Sequence, residues 1–330
     1  MERRTLVIFA GALGDFICFL PALEKLAADG GVDLLARSEY ADLVPSTVMV
    51  RSVECHEITQ LFVPGADENE RLKSFFGSYA SIYSWMGSGQ RDFVRHLQTL
   101  SDGTLRIFPF RPSRSRVHMT HYYLSCLGEK NPREIFPIIR LRSDALTWSR
   151  RFWQHSALER KRVLVLAPGS GAREKNWPID FYKAVGEWWK KGTKGEVVIV
   201  LGPVEEARGE RGELWDHAVV VRGLNLAQVA ALLLRCDVYL GNDSGITHMA
   251  AALGVETIAL FGPSDPVQWA PRGSNVRVVS QGVPCSPCAH SVMKACPHRK
   301  CLTQLNPHGV IGFLEQVVEK FAAVGTALTT

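Results

Sequence analysis

The sequence lacks the features of several broad classes of protein. No apolar segment is long enough to cross a bilayer, and the first apolar run, TLVIFA, is too short before a charged residue to be a secretory signal. Motifs that combine basic and aromatic residues in the manner of RNA-binding domains are missing, and the formal net charge of +5 over 330 residues is modest. We therefore expect a cytoplasmic protein that does not bind nucleic acid.

Two common cofactor motifs are missing as well. The turn GALGDF lacks the third glycine of the dinucleotide fingerprint, and no paired-carboxylate DxD motif of metal-dependent sugar transferases is evident. The turn also carries an acid, Asp15, where a pyrophosphate would lie, and a negative charge repels an anion at a helix N-terminus. A nicotinamide dehydrogenase is therefore disfavoured. Asp15 either caps the following helix or is a base that faces a cleft.

The chain does contain a regular alternation of strand and helix patterns. The alternation begins afresh after DALTWSRRFWQHSALERK, which predicts an α/β protein with two doubly wound, mostly parallel sheets. We predict two domains, residues 1–155 and 156–330, on either side of a central cleft, with packing of the last helix back on the first domain as an option. The predicted strands are TLVIFA, VDLLAR, SIYSWM, LRIFPF, RVLVLAPGS, EVVIVLGP, DVYLGN and ETIALFGP.

Glycine-rich turns follow several of these strands, at the ends where open α/β sheets bind ligands. PGSGAREKNWP offers unhindered backbone and positive charge before a helix, and GNDSGITHMAAALG places polar residues at a helix start, where free amides favour a phosphate. Each turn alone is also typical of a solvated loop or a capped helix. Two such turns in the same half of the chain, however, favour a diphosphate as the ligand. The candidate residues are Ser170, Gly171, Arg173 and Lys175, then Asp243, Ser244, Gly245 and His248.

A third turn, GPVEE, carries acidic residues after a strand. Glu205 or Glu206 matches the position from which a carboxylate accepts ribose hydroxyls in dinucleotide folds. The alternative is a glutamate at a helix start, where the helix dipole favours negative charge.

Positive charge concentrates in RPSRSRVH, at Arg111, Arg114 and Arg116. Because arginine grips phosphates and carboxylates with two parallel hydrogen bonds, this cluster is a candidate site for an anionic ligand or a membrane surface. A solvated basic loop is the alternative.

Four of the eight cysteines fall in CSPCAHSVMKACPHRKC. Cys285, Cys288, Cys296 and Cys301 have a spacing compatible with a four-thiolate zinc or iron–sulfur site, although its second half is irregular for a zinc ribbon. Disulfides are the less expected use because a cytosol keeps thiols reduced. A structural metal site and free thiols packed in a loop are the two interpretations.

In order and spacing, GALGDFICFLPAL, PGSGAREKNWP, GPVEE and GNDSGITHMAAALGVETIALFGPSDP resemble glycosyltransferase family 9, the ADP-heptose:lipopolysaccharide heptosyltransferases. The resemblance implies a GT-B fold of two Rossmann-like domains, with the acceptor on the first and the nucleotide sugar on the second. It implies inverting transfer of heptose from ADP-heptose to an inner-core sugar of lipopolysaccharide, on Kdo-lipid A or its heptosylated form. The reaction would take place at the cytoplasmic face of the inner membrane, with peripheral membrane contact and without a required cofactor or metal ion.

The same resemblance assigns roles to individual residues. Asp15 takes the position of the general base, and Glu205 that of the ribose ligand. The sequence departs from the family at Leu13, where relatives often carry a polar or basic side chain. The implied donor contacts are Ser170, Gly171, Lys175, Asp243, Ser244, Gly245 and His248. For the implied acceptor, which carries phosphates and carboxylates, the candidate contacts are Gly14 beside Asp15 and the basic cluster of Arg111, Arg114 and Arg116.

Other functions remain open at this point. A GT-B enzyme that uses another nucleotide sugar, such as a different transferase or a UDP-sugar epimerase, would prefer UDP to ADP. A non-catalytic relative that binds a nucleotide or a metal ion would bind its ligand without turnover.

Overall fold

The computed structural model describes residues 4–28, 30–113, 116–130, 135–207, 215 and 217–327. The chain divides into two compact units, residues 1–142 and 143–330. Each unit contains one parallel sheet with helices between its strands, as the alternation in the sequence predicts. The units are therefore described one at a time.

The first unit contains a five-stranded sheet with the order β3-β2-β1-β4-β5. All its strand pairs are parallel, and Thr5 in the central strand is in register with Val32 on one side and Ser81 on the other. The elements are β1 (Thr5–Ile8), α1 (Leu13–Ala27), β2 (Val32–Ala36), β3 (Val48–Ser52), α2 (His56–Gln60), α3 (Glu70–Gly77), β4 (Ser81–Ser84), α4 (Arg91–Leu100), β5 (Thr104–Ile107) and α5 (Met119–Cys126), with 3₁₀ turns at Ser38–Leu43 and Ala66–Glu68.

The second unit contains a six-stranded sheet with the order β11-β10-β9-β6-β7-β8, again with parallel pairs throughout. Its elements are α6 (Ser143–His155), β6 (Val163–Ala167), a 3₁₀ turn (Arg173–Lys175), α7 (Ile179–Thr193), β7 (Glu196–Val200), α8 (Pro203–Ala207), β8 (Val219–Val221), α9 (Leu226–Leu233), β9 (Val238–Asn242), α10 (Gly245–Ala252), β10 (Glu256–Phe261), α11 (Pro266–Trp269), β11 (Val276–Ser280), α12 (His290–Ala295), α13 (Lys300–Thr303) and α14 (Pro307–Ala327).

Both sheets have the strand order of doubly wound nucleotide-binding folds. Counted within its own unit, each sheet runs 3-2-1-4-5, and the second adds a sixth strand after the fifth. The order reverses between β1 and β4 in the first unit and between β6 and β9 in the second. Ligands bind at such reversal points, beyond the carboxyl ends of the strands. The fold prediction of two doubly wound parallel sheets is confirmed.

The central strands form because their residues are apolar on both faces. Leu6, Val7 and Ile8 of β1 are fully buried, as are the residues of β6 from Val163 to Leu166. A parallel strand covered by helices on both sides selects such continuous apolar runs. This packing holds the carboxyl ends of β1 and β6, and the turns that follow them, in fixed positions.

The boundary between the units differs from the predicted division after residue 155. Helix α6 packs against α9 and so belongs with the second unit. Its Trp153 is buried, and the guanidinium of Arg235, just after α9, lies 5.5 Å from the centre of the Trp153 ring. The stretch DALTWSRRFWQHSALERK is thus a helix of the second unit as well as a connection.

The last helix packs within the second unit over its described side chains. Val310, Leu314 and Val317 of α14 are buried in the same core cluster as Trp189 of α7. Among the helices in the described part of the chain, none combines the length and the apolar character needed to cross a bilayer.

Candidate active site

The reversal point of the first unit lies at the turn between β1 and α1. Gly11 in this turn is packed so closely that a Cβ atom there would meet the ring of Phe9 and lie 2.8 Å from Cβ of Asp15. The Tyr40 hydroxyl donates a hydrogen bond of 3.0 Å to the Gly11 carbonyl. These contacts hold the N-terminus of α1 in one position and therefore fix Asp15.

Asp15 lies in the first turn of α1, three residues after the N-cap position, which Ala12 occupies. The helix dipole favours a carboxylate there. Asp15 is 9% exposed, and its Oδ1 accepts a hydrogen bond of 2.5 Å from Nη1 of Arg111. The structure thus places Asp15 at the reversal point and pairs its carboxylate with a cation, rather than using it at the N-cap.

Arg111 reaches Asp15 from the loop after β5. Its guanidinium lies 4.3 Å from the centre of the Phe110 ring, and Nη1 is 3.3 Å from the hydroxyl of Tyr123 in α5. Burial, and then the negative charge of Asp15, raise the pKa of Tyr123 well above its usual range, so this hydroxyl stays neutral. Of the other predicted acceptor contacts, Gly14 is half-buried in α1, Arg116 is exposed and Arg114 lies outside the described residues.

An aromatic cluster supports this part of the first unit. Phe9 stacks on Phe19 at 4.3 Å between ring centres, and it meets the edge of Tyr123 at 5.6 Å. Phe16 stacks on Tyr40 at 4.2 Å. These packed rings immobilise the helix that carries Asp15 and the hydroxyl beside Arg111.

The reversal point of the second unit lies between the turns that follow β6 and β9. In the first of these turns, the Ser170 hydroxyl is 2.6 Å from both the Ala172 carbonyl and Oδ1 of Asn176. Ser170 is buried, so its side chain braces the turn. Nζ of Lys175, farther along the same turn, lies 2.6 Å from Oδ2 of Asp243. The two predicted anion-binding turns are therefore adjacent in space.

Asn242, the last residue of β9, joins the two turns. Its Oδ1 accepts a hydrogen bond of 2.9 Å from the Trp177 amide, and its Nδ2 donates one of 2.7 Å to the Pro168 carbonyl. The side chain is fully buried. Reasoning from the sequence missed this residue. Its only signal was a polar side chain at the end of a buried strand, in GNDSG.

Helix α10 begins directly beyond Asn242, with Ser244 at the N-cap and Gly245 as its first residue. Within the described residues, Ser244 makes no side-chain capping hydrogen bond; its Oγ instead lies 3.1 Å from the Thr247 hydroxyl. Asp243, a predicted capping residue, is committed to Lys175. The amides of this first turn, with the positive end of the helix dipole, can therefore bind an anion. His248 is buried in the same turn.

The structure distinguishes Glu205 from Glu206. Glu205 is buried, accepts a hydrogen bond of 3.0 Å from the Gly202 amide, and lies against Gly169, where a Cβ atom would collide with its carboxylate. Glu206 is exposed and accepts a hydrogen bond of 2.8 Å from the Gly223 amide. Glu205 is thus the glutamate beside the turn that follows β6.

The four clustered cysteines lie around one small cavity together with Glu174, Met293 and His298. Burial and the neighbouring thiols raise the pKa of Cys301. Throughout the part of the chain that the structure describes, no group of three or more histidine, cysteine, aspartate or glutamate side chains has an arrangement that could hold a metal ion. The structure thus gives no support for metal binding by Cys285, Cys288, Cys296 and Cys301, which stays a prediction.

Comparison with known proteins agrees with this arrangement. Residues 139–298 match the model of glycosyltransferase family 9 (heptosyltransferase). Lipooligosaccharide heptosyltransferase 2 of Campylobacter jejuni is 28% identical over 163 residues, which are 46% of this chain and 49% of that protein. Over this region the chain is similar to glycosyltransferase family 9. It spans about half the length of the curated relatives it matches.

Solved structures of family 9 share the fold over nearly the whole chain. A family 9 glycosyltransferase from Veillonella parvula aligns with a TM-score of 0.76 and 19% identity, over 97% of this chain and 99% of that one. The E. coli ADP-heptose LPS heptosyltransferase II aligns with a TM-score of 0.71 and 18% identity over the same shares. The GT-B fold that the sequence motifs imply is confirmed. The region that matches the family model holds the turns after β6, β7 and β9, whereas Asp15 and Arg111 lie outside it.

Proposed function

We propose that this protein transfers heptose from ADP-heptose, with inversion, to an inner-core sugar of lipopolysaccharide. The match of residues 139–298 to family 9 and the names of the relatives support heptosyl transfer. The observation that carries the proposal is the reversal point of the second unit, where Lys175 lies beside the uncapped start of α10. A cation and free amides at this place favour a diphosphate ligand.

The donor contacts follow from this arrangement. The diphosphate binds at the first turn of α10 and competes with Asp243 for Lys175, while Gly171 lets the backbone approach closely and His248 lines the same end. The buried Glu205 accepts the ribose hydroxyls. As the bond between sugar and diphosphate breaks, negative charge develops on the departing ADP. Groups already oriented toward that charge stabilise it without reorganisation.

Asp15 is the general base in this proposal. The attacking acceptor hydroxyl must lose its proton as the new glycosidic bond forms, and a fixed carboxylate within hydrogen-bond reach accelerates that step. The first turn of α1 supplies the fixed position, and the tight packing at Gly11 maintains it.

The acceptor side depends on arginine. Arg111 lies beside Asp15, the proposed general base, and Arg116 is exposed on the same loop. Both can bind the phosphates and carboxylates of an inner-core acceptor. We place the reaction in the cytoplasm with peripheral contact to the inner membrane that carries the acceptor. Stabilisation of ADP by Lys175 and the α10 amides would make a dissociable metal ion unnecessary.

The first test is nucleotide selectivity. ADP, UDP, GDP, CDP and NAD are added to the full chain at matched concentrations, and the melting temperature is recorded. A ligand that binds only the folded state at about 100 times its Kd raises the free energy of unfolding by about 2.7 kcal/mol. We expect selective stabilisation by ADP. Selectivity for UDP would indicate another transferase or an epimerase.

The second test measures turnover directly. The protein is incubated with ADP-heptose and an inner-core acceptor in the presence of a chelator, and ADP release and product are measured. Transfer with inversion is expected, and it should persist in the chelator. Binding of ADP-heptose without transfer to any inner-core acceptor would instead identify a non-catalytic relative.

A further inference from the structure

The carboxylate of Asp15 is covered by Arg111 in the structure. Nη1 of Arg111 lies 2.5 Å from Oδ1 of Asp15, a short, charge-assisted hydrogen bond. One of the two oxygens of the carboxylate is therefore engaged by a cation. A hydroxyl or water that hydrogen-bonds to this oxygen must therefore compete with the Arg111 guanidinium.

Arg111 is the outer partner of the pair. Its side chain is 41% exposed, whereas that of Asp15 is 11% exposed and belongs to a helix fixed by the packing at Gly11. The guanidinium also contacts the Phe110 ring and the Tyr123 hydroxyl. Because the Arg111 side chain is partly exposed, a second anion can compete for it from solvent while Asp15 stays in place on its helix.

We infer that Arg111 guards the general base. By this we mean that its guanidinium covers Asp15 until an acceptor that carries a phosphate or carboxylate draws it away and leaves Asp15 open. This inference rests on the proposed function. Arg111 acts here through Asp15 and is a positioning residue. It couples recognition of the acceptor charge to activation of the base.

The guard would suppress a wasteful side reaction. Without an acceptor, a water molecule can attack the anomeric carbon of bound ADP-heptose. The bond between that carbon and the ADP oxygen then breaks, ADP leaves with the electron pair, and the proton of the water passes to Asp15. While Arg111 holds Oδ1 of Asp15, that oxygen is not open to this proton, so hydrolysis is slower than with Asp15 uncovered.

The experiment measures ADP release from ADP-heptose in the absence of acceptor. Wild type is compared with Arg111→Ala, Arg111→Lys, Asp15→Ala and the Asp15→Ala/Arg111→Ala double variant. Arg140→Ala is the matched control, because Arg140 pairs with Glu24 at 3.4 Å in the same unit and is 74% exposed. Circular dichroism and melting temperature establish that each variant is folded.

We expect Arg111→Ala to hydrolyse the donor about fivefold faster than wild type, the factor set by the upper end of measured couplings for partly exposed ion pairs. Arg111→Lys keeps the charge but has fewer hydrogen-bond donors, so its hydrolysis rate should fall between those of wild type and Arg111→Ala. The increase must vanish in the double variant, because it requires Asp15. Arg140→Ala should match wild type. Arg111→Ala should also raise the KM for an anionic acceptor more than that for a neutral sugar acceptor.

Equal rates of donor hydrolysis in wild type, Arg111→Ala and Arg111→Lys would contradict the inference about Arg111. A faster hydrolysis that persists in the Asp15→Ala/Arg111→Ala double variant would contradict it as well. Either result leaves heptosyl transfer intact if wild type still transfers heptose to an acceptor. Failure of wild type to bind ADP-heptose would overturn the proposed function, and the guard with it. The two failures are therefore distinguishable.

Discussion

Replacement of Asn242 by alanine should destabilise the second unit. It should also loosen the turn after β6, which we propose binds the sugar donor. The side chain is fully buried and supplies hydrogen bonds of 2.9 Å to the Trp177 amide and 2.7 Å to the Pro168 carbonyl. Alanine leaves a buried donor and a buried acceptor without their partner. Each such group costs about 1 to 3 kcal/mol, so we expect the two together to lower the free energy of unfolding by about 2 to 6 kcal/mol.

Urea denaturation of the variant, monitored by circular dichroism, measures this loss. Asn275→Ala is the matched control, because Asn275 also donates a 3.0 Å hydrogen bond to a backbone carbonyl, that of Gly254, but in an exposed setting. Its loss should cost about 1 kcal/mol or less. Under conditions where Asn242→Ala is still folded, isothermal titration should show weaker ADP binding, since the turn that holds Lys175 is no longer tied to β9. Equal stability of the Asn242→Ala and Asn275→Ala variants would refute the conclusion that the Asn242 side chain joins the two turns.

Three further predictions concern the site and the cysteine cluster. Asp15→Asn should reduce the transfer rate at least 100-fold while the Kd for ADP changes little; a parallel loss of ADP affinity would contradict its role as a base. Lys175→Ala should raise the Kd for ADP by about tenfold or more, as expected for a lost charged hydrogen bond, whereas the exposed Lys191→Ala should not; titration calorimetry compares the two. In alkylation at pH 8 followed by mass spectrometry, exposed Cys285 should react before Cys301, because burial raises the pKa of Cys301 and so lowers its thiolate fraction. Equal rates would show that the buried thiol is accessible.

The strands that reasoning from the sequence missed share one property. β3, β8 and β11 lie at the edges of the two sheets. An edge strand is covered by fewer neighbours and needs no continuous apolar run, and Met49 of β3 is accordingly 58% exposed. Every central strand was predicted, because burial on both faces imposes an apolar run that is visible in the sequence.

The candidate residues were identified more readily than their partners. Asp15, Lys175 and Asp243 stand out because each follows a predicted strand in a glycine-rich turn. Their pairing was not predicted, since Arg111 is 96 residues from Asp15 and Lys175 is 68 residues from Asp243 along the chain. The choice between Glu205 and Glu206 likewise required the structure, because adjacent residues at a helix start point in different directions.

The class of fold, the two halves and the turns that hold the candidate residues could be predicted from the sequence alone. These are local properties, since the period of apolar residues and the position of glycine report directly on strands, helices and turns. Which charges meet, which glutamate is buried and that Asn242 joins two turns could be seen only in the folded structure. Those outcomes depend on strand order, because parallel sheets bring the ends of β6 and β9 side by side although many residues separate them in the chain.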